Sequence, residues 1–278
     1  MRRIDPTVSL VVSTYNNPAF LRLSMKSLFA QTVLPFEVLI ADDGSTDETY
    51  KQIAILRKES PIPLVHVWQP DEGFRAGQIR NVAIAAARSE YIVQIDGDIL
   101  MEPHFIADHL LHRKTKTLLQ GSRVFVTEQK TQALIAQDSA RLSFFSRGLQ
   151  RRENALRSRL ISAYLTTRYR NPYPLYYARG CNMSFYKDDF IRVNGYSHDF
   201  TGWGHEDSEL TLRLLNSGCE KHYIKFHCVA YHLHHKNLSR SMEATNKALM
   251  DKQYAQGVTR CEHGIDAFLS SYPDFIRE

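Results

Sequence analysis

The chain has 278 residues, of which 43% are hydrophobic and 23% charged, with a net charge of +5. That length suits one large domain or two small ones around a sizeable core, and no apolar run approaches the roughly 20 residues that a membrane span requires. Mild basicity is compatible with an anionic small ligand, nucleic acid or a membrane surface.

Met1-Arg2-Arg3 runs into Ile4-Asp5-Pro6 and then a strand, with no apolar leader, so a soluble, intracellular protein is expected. Val8 to Ser13 is that strand, and Thr14-Tyr15-Asn16-Asn17 is the turn after it. Asn17 and Pro18 give an N-cap and first turn for a helix that buries Leu21, Met25, Leu28 and Phe29. Phe36 to Ala41 is a second strand, closed by Asp42-Asp43-Gly44, and Ser45 with Glu48 reads as a capping box for the next helix. Leu64 to Trp68 is a third strand, Asp71 to Gly77 a loop, and Ile79, Val82, Ala83 and Ala86 a helix face. Tyr91 to Ile95 is a short β-branched run that ends in Asp96-Gly97-Asp98. Alternating strands and helices predict a parallel sheet covered on both faces. A dinucleotide fold would place glycines in the first turn, and Thr14 to Asn17 has none.

Leu118 to Val126 is expected as a further strand, and Thr131 to Arg168 as a long basic helical stretch. From Arg141 to Arg170 it holds Arg141, Arg147, Arg151, Arg152, Arg157, Arg159, Arg168 and Arg170 against Glu153 alone, with Phe144, Phe145, Leu156, Leu160 and Tyr164 between them. Such a stretch either packs its apolar side on the core or meets anionic lipid head groups. Lys187 to Val193 is a helix, Leu210 to Leu215 another that ends at Gly218, and Phe226 to Tyr231 a strand that runs into His232-Leu233-His234-His235. The tail from Met242 to Arg277 reads as a polar helix and a loose end. Cys181, Cys219, Cys228 and Cys261 are far apart, which predicts buried thiols rather than disulfides or a zinc site.

The chemistry gathers at strand ends. Asp96 and Asp98 can share a divalent cation that carries a diphosphate, or form an ordinary polar turn. Arg75 and Arg80, beside a helix start, suit phosphate. Gly202-Trp203-Gly204 bends around an indole that can face a sugar ring, and Glu206 and Asp207 follow it, where a carboxylate serves either the helix dipole or a hydroxyl proton. Strand alternation puts His232 and His234 on one side and His235 on the other, so an imidazole can complete a metal site begun by Asp98.

Val12-Ser13-Thr14-Tyr15-Asn16, Ala41-Asp42-Asp43-Gly44-Ser45-Thr46-Asp47, Gly73-Phe74-Arg75 with Arg80-Asn81, and Asp96-Gly97-Asp98 resemble the family 2 glycosyltransferases of the GT-A fold. Arg179-Gly180-Cys181-Asn182-Met183, Gly195-Tyr196 and Gly202-Trp203-Gly204-His205-Glu206-Asp207 resemble the galactosyltransferase region shared with β-1,4-galactosyltransferases and chondroitin-type polymerases. The resemblance spans about 7–127 and 178–236. It implies an α/β GT-A, Rossmann-like fold: a mostly parallel central sheet with helices on both faces, as a single domain with a helical extension. Its segments would be a nucleotide-sugar half at 1–127, a basic helical insertion at 128–177, an acceptor-binding and catalytic half at 178–240 and a helical tail at 241–278.

The same resemblance implies the roles. Ser13, Tyr15 and Asp43 would hold the nucleotide base, Arg75 and Arg80 the diphosphate, and Asp96 the ribose side. Asp98 and His232 would bind Mn2+ or Mg2+. Trp203, Gly204 and His205 would line the sugar and acceptor site, Glu206 would hold the substrates, and Asp207 would be the base. His205 stands where many relatives carry glycine, which would narrow the sugar pocket or touch the acceptor. The implied reaction is an inverting transfer from a nucleotide-sugar, such as UDP-Gal, UDP-GalNAc, UDP-Glc or UDP-GlcNAc, to a glycan or lipid-linked glycan in polysaccharide or lipopolysaccharide synthesis. The expected place is the cytoplasm, peripheral on an anionic inner membrane face, with no nucleic-acid partner. The rivals are a metal-dependent nucleotidyltransferase, which leaves the Gly-Trp-Gly loop unexplained, and a basic nucleic-acid module, which has no use for Asp96 and Asp98.

Overall fold

The computed structural model describes residues 3–166, 168, 173–235 and 240–278. Met1 and Arg2 of the chain start, Thr167 of the expected helical stretch and Arg170 of the arginine run lie outside the described residues, as do 236–239 of the expected catalytic half.

The first half alternates as the sequence predicts. Strand β1 (Arg3–Thr14), helix α1 (Pro18–Phe29), β2 (Val33–Asp42), α2 (Asp47–Glu59), β3 (Leu64–Trp68), α3 (Ala76–Ala86) and β4 (Tyr91–Asp96) follow in turn. Leu10 and Val12 point to one face of the sheet and join Leu21, Met25 and Leu28 of α1. Val11 points to the other and joins Ile79, Val82 and Ala83 of α3. That period of two, met by helices from both sides, is what makes these strands near-continuously apolar. Asn17 caps α1 as expected: its Oδ1 accepts from the Phe20 N–H at 3.3 Å. The expected capping box at α2 does not form. Thr46 takes the N-cap position without a side-chain bond, and the Ser45 hydroxyl instead accepts from the Asn16 N–H at 2.8 Å, tying the first two strand-end loops together.

Beyond β4 come β5 (Ile99–Met101), α4 (Phe105–His112), β6 (Thr117–Gln120), β7 (Ser122–Val126), α5 (Glu128–Ala136), β8 (Leu149–Gln150) and α6 (Arg159–Thr166). The chain then forms β9 (Asn182–Tyr186), α7 (Lys187–Arg192), α8 (Glu206–Asn216), β10 (Glu220–Tyr223), β11 (Val229–His232), α9 (Glu243–Ala255) and β12 (Ile276–Arg277). The main sheet has the order β10-β6-β9-β4-β1-β2-β3-β12, and a second sheet the order β5-β11-β7-β8. Pairings β4–β1–β2–β3 are parallel, while β9 runs antiparallel to β4 and β6.

Three expectations change here. The single strand over 118–126 is two strands in two sheets, broken at Gly121. A Cβ at Gly121 would come within 2.4 Å of the Asn182 side chain, which pins the break by donating to the Ser122 and Cys228 carbonyls at 2.9 and 2.8 Å. The stretch 131–168, read as helical in character, is α-helical only at its two ends. It holds α5, an irregular run, β8, a 3-10 turn at Arg152–Ala155 and α6, because Gly148, Ser and Asn residues interrupt the apolar period. Arg157 anchors it, with a two-point contact to buried Asp108 of α4 at 2.9 and 2.7 Å. The chain end is not loose, since β12 pairs antiparallel with β3. The four cysteines are free and buried, and no described helix is long and apolar enough to cross a membrane.

Candidate functional site

Parallel strands deliver their carboxyl ends to one edge. The register sets Ser13 opposite Asp96 and Thr14 opposite Asp42. Arg80 of α3 lies across that edge, 5% exposed. Its Nε donates to Ser13 Oγ at 2.8 Å, its Nη2 to Asp96 Oδ1 at 2.8 Å, and its Nη1 lies 3.5 Å from Asp207 Oδ1. One buried cation therefore joins three residues that are far apart in the chain. Burial pulls its pKa down, but the Tyr196, Asp96 and Asp207 groups outweigh it and hold the guanidinium charged. Burial pushes Asp96 up to about 6, against the pull of Arg80.

Asp207 is fixed by groups that the sequence reading did not assign. The Gly180 N–H donates to its Oδ2 at 2.6 Å and the Tyr196 hydroxyl to its Oδ1 at 3.0 Å. A Cβ at Gly180 would sit 2.5 Å from that carboxylate, so only glycine lets the two approach. Burial and then the Asp207 charge raise the Tyr196 hydroxyl far above its ordinary value, which keeps it a donor. Gln94 of β4 donates to the Tyr196 oxygen at 2.8 Å, and Asn81 of α3 bonds both backbone groups of Tyr196 at 2.8 Å. Tyr196 had a signal, the Gly195-Tyr196 pair; Gln94 had none, because a glutamine inside an apolar strand names no partner.

Glu206 and Asp207 open α8. Glu206 Oε2 accepts from the Gly204 N–H at 3.0 Å. Burial and then the Asp207 charge push the Glu206 carboxyl up to about 7. Between its ordinary value of 4.5 and about 7 the folded chain keeps a proton that the unfolded chain has lost, so this group's contribution to stability falls as pH rises through that window. Glu206→Gln is therefore expected to stabilise the ligand-free protein at pH 8 by on the order of 2 kcal/mol and to change little at pH 4. Urea midpoints at the two pH values check this, and an equal effect at both would refute it.

The second carboxylate of the Asp-Gly-Asp turn meets the second sheet. His232 of β11 lies opposite Ile99 of β5, and the Leu233 N–H donates to the Asp98 carbonyl at 3.0 Å. Asp98 Oδ2 is 3.6 Å from His232 Nε2 and 3.1 Å from His235 Nε2. Among the described residues these three offer ligand atoms within 4.8 Å of one another, and Asp98 Oδ1 is buried without a hydrogen-bond partner. One oxygen and two imidazole nitrogens around an orphaned carboxylate oxygen fit a divalent transition ion such as Mn2+. Burial raises Asp98, but the two imidazoles outweigh it and hold the carboxyl below its ordinary value. Strand alternation misplaces the histidines: β11 ends at His232, so His235 turns back to Asp98, while the His234 N–H donates to Thr131 Oγ1 at 3.0 Å.

The remaining expected residues border this core. Asp43 accepts from Gln69 Nε2 at 2.6 Å and from the Arg75 N–H at 2.8 Å, and burial raises its pKa. Tyr15, 50% exposed, donates to Asp71 Oδ2 at 2.9 Å. The Arg75 guanidinium is turned onto its own loop, bonded to Glu72 and to the Pro70 carbonyl at 2.8 and 2.7 Å. The Gly202 N–H donates to the Phe74 carbonyl, and Arg240 lies 5.0 Å over the Trp203 ring. His205 has a φ of 70°, the left-handed region that favours glycine, and Asn246 of α9 donates to the Gly204 and Thr201 carbonyls at 2.9 and 3.1 Å. The role of α9 in holding this loop was invisible in a tail read only as polar.

The family model described as Glycosyl transferase family 2 matches residues 9–173, and the one described as N-terminal domain of galactosyltransferase matches 159–236. The first match continues through the basic stretch, past the motifs that carry the resemblance. Validoxylamine A glucosyltransferase of Streptomyces hygroscopicus subsp. limoneus is 29% identical over 222 residues, covering 77% of this chain and 49% of that protein. Chondroitin synthase of Escherichia coli is 27% identical over 240 residues, covering 81% and 34%. The chain thus spans between a third and a half of the length of these relatives. The crystal structure of S. aureus TarS 1-349 in complex with UDP superposes with a TM-score of 0.60 at 16% identity, over 96% of this chain and 70% of that one. Mannosyltransferase PcManGT of Pyrobaculum calidifontis, in complex with GDP-Man and Mn2+, gives 0.56 at 17% identity, over 98% and 72%. At such identities the likeness establishes the fold, which is GT-A.

Proposed function

The chain belongs to glycosyl transferase family 2, and on that premise we propose that it moves a sugar from a nucleotide-sugar, with UDP as the nucleotide, to a hydroxyl of a glycan acceptor with inversion. The observation that carries this is Arg80, which ties the Ser13 and Asp96 edge to Asp207. A donor held at that edge has its anomeric carbon presented toward Asp207. Asp207 takes the acceptor proton as the new glycosidic bond forms and the bond to the diphosphate breaks. The Gly180 and Tyr196 donors orient the carboxylate and leave it lone-pair sites for the hydroxyl. Asp98, His232 and His235 would hold a divalent ion, which when bound stabilises negative charge on the departing diphosphate. Arg80 adds fixed positive charge nearby at no cost of reorganisation. Glu206 braces the Gly-Trp-Gly loop, and Trp203 supplies a ring face for sugar. UDP in the TarS structure, and Mn2+ with GDP-mannose in PcManGT, support the donor class.

The test is thermal unfolding with UDP, GDP, TDP and CMP, each with Mn2+ and with a chelator. A ligand at about 100 times its dissociation constant adds roughly 2.7 kcal/mol, a shift of several degrees for a chain of this size. A UDP shift that needs Mn2+ is expected; no shift with any nucleotide would overturn the reading.

The basic stretch supports an anionic membrane surface as a further partner. Phe145 and Leu160 are each 85% exposed, with Arg147 and Arg159 beside them in sequence. Co-sedimentation with anionic vesicles at low salt is expected, and failure to bind them removes this partner.

A further inference from the structure

Two cations, Arg179 and Lys221, meet at Tyr177, and among the described residues neither pairs with a carboxylate. Arg179 immediately precedes the glycine that bonds Asp207. Its guanidinium lies 5.3 Å from the Tyr177 ring centroid and 5.9 Å from that of Tyr173, two rings stacked 4.7 Å apart. Its Nε donates to the Tyr177 hydroxyl at 3.3 Å; burial pulls its pKa down, but the Tyr177, Cys181 and Tyr173 groups outweigh it and hold the guanidinium charged. Lys221 of β10, only 7% exposed, donates to the Tyr177 carbonyl and, at 2.8 Å, to the Tyr223 hydroxyl. Burial and then the Arg179 charge push its ammonium down to about 7, against the pull of Asp207. Two like charges held together in partial burial are costly unless a counter-charge arrives. The aromatic pair under the Arg179 guanidinium offers a ring face to a sugar, and Asp207 is where an acceptor hydroxyl must come.

We propose that Arg179 and Lys221 bind an anionic substituent of the acceptor, a carboxylate or a phosphate, while the Tyr173–Tyr177 pair carries the sugar that bears it. This rests on the transferase reading of Asp207. It predicts an enzyme that selects acidic glycans over neutral ones of the same size. The bridging geometry suits Arg179, whose planar fork can take two anion oxygens at once, with Lys221 behind it as a point charge.

The test uses the full chain with UDP and Mn2+, titrated with matched trisaccharides that end in a neutral hexose, a uronate or a hexose phosphate. Binding of at least one charged form about tenfold tighter than the neutral one is expected, the size of a charge-assisted hydrogen bond, with the preference weakening as salt rises. The uronate and phosphate arms separate the two sources of charge. Arg179→Gln and Lys221→Met are each expected to erase the preference while the melting shift with UDP and Mn2+ remains, which also shows that the variants are folded. Equal binding of charged and neutral forms, or no binding of any, overturns this proposal alone. So does loss of the UDP shift in Arg179→Gln, which would assign the cations to the donor. Absence of a UDP shift in the unaltered protein overturns the transferase reading and this one with it.

Discussion

Asp207→Asn is expected to lower turnover by about 10²–10⁴-fold, the usual worth of a general base, while the melting shift with UDP and Mn2+ stays intact. The carboxylate accepts from Gly180 on one oxygen and from Tyr196 on the other, with Arg80 near the second. An amide has one acceptor oxygen and one NH2 group. The Gly180 N–H cannot rotate, so the oxygen must stay there and the NH2 must face Tyr196 and Arg80. The hydroxyl can turn to accept; the guanidinium cannot. The substitution therefore removes the base and also costs about 1 kcal/mol or more of stability from the opposed donors. Turnover should be compared at a temperature well below both melting points, with the UDP shift measured on the same sample. A variant that loses nucleotide binding and turnover in equal measure would show that Asp207 holds the donor, and a variant that keeps its turnover would show that the proton goes elsewhere.

The parts of this site that were legible in the sequence are those set by short-range rules. Ser13, Asp43 and Asp96 sit at strand ends, and strand ends are marked by apolar runs that stop at polar turns. Arg80 was recognisable as a cation near a helix start, but its contact with Asp207 joins residues that no local pattern connects. His235 was hidden for the opposite reason: a period-two rule was applied beyond His232, where the strand ends. Gly121 looked like part of one strand because the apolar pairs Leu118-Leu119 and Val124-Phe125 lie on either side of it, and only the Asn182 side chain packed against it shows why the chain changes sheets there. Asn246 carried no signal at all. A buried asparagine that clamps a loop looks, in sequence, like any polar residue on an exposed helix, and its 2% exposure is a property of tertiary packing.

The histidines give the sharpest contrast available in this chain. His235→Ala is expected to weaken Mn2+ binding by well over tenfold, and His232→Ala likewise, since loss even of a residue that merely orients a metal ligand costs 10–100-fold as a rule. His234→Ala, one residue away, is expected to leave Mn2+ affinity within about twofold, because that residue's fixed contact is a backbone bond to Thr131 and not a place at Asp98. Asp98→Ala should abolish the Mn2+-dependent part of the UDP shift, since it removes the oxygen donor around which both imidazoles gather. Electron paramagnetic resonance of free Mn2+ during titration reads affinity directly and does not depend on turnover or on knowing the acceptor. Equal losses at His234 and His235 would mean that the segment after β11 binds the ion in an arrangement other than the one seen. Full affinity in Asp98→Ala would remove the metal from this turn, leaving Arg80 as the main source of positive charge for the diphosphate. The three imidazoles thus separate two designs for stabilising a leaving group, a bound ion at the second sheet or a buried guanidinium at the first, and the outcome at His235 decides how much of the work falls to each.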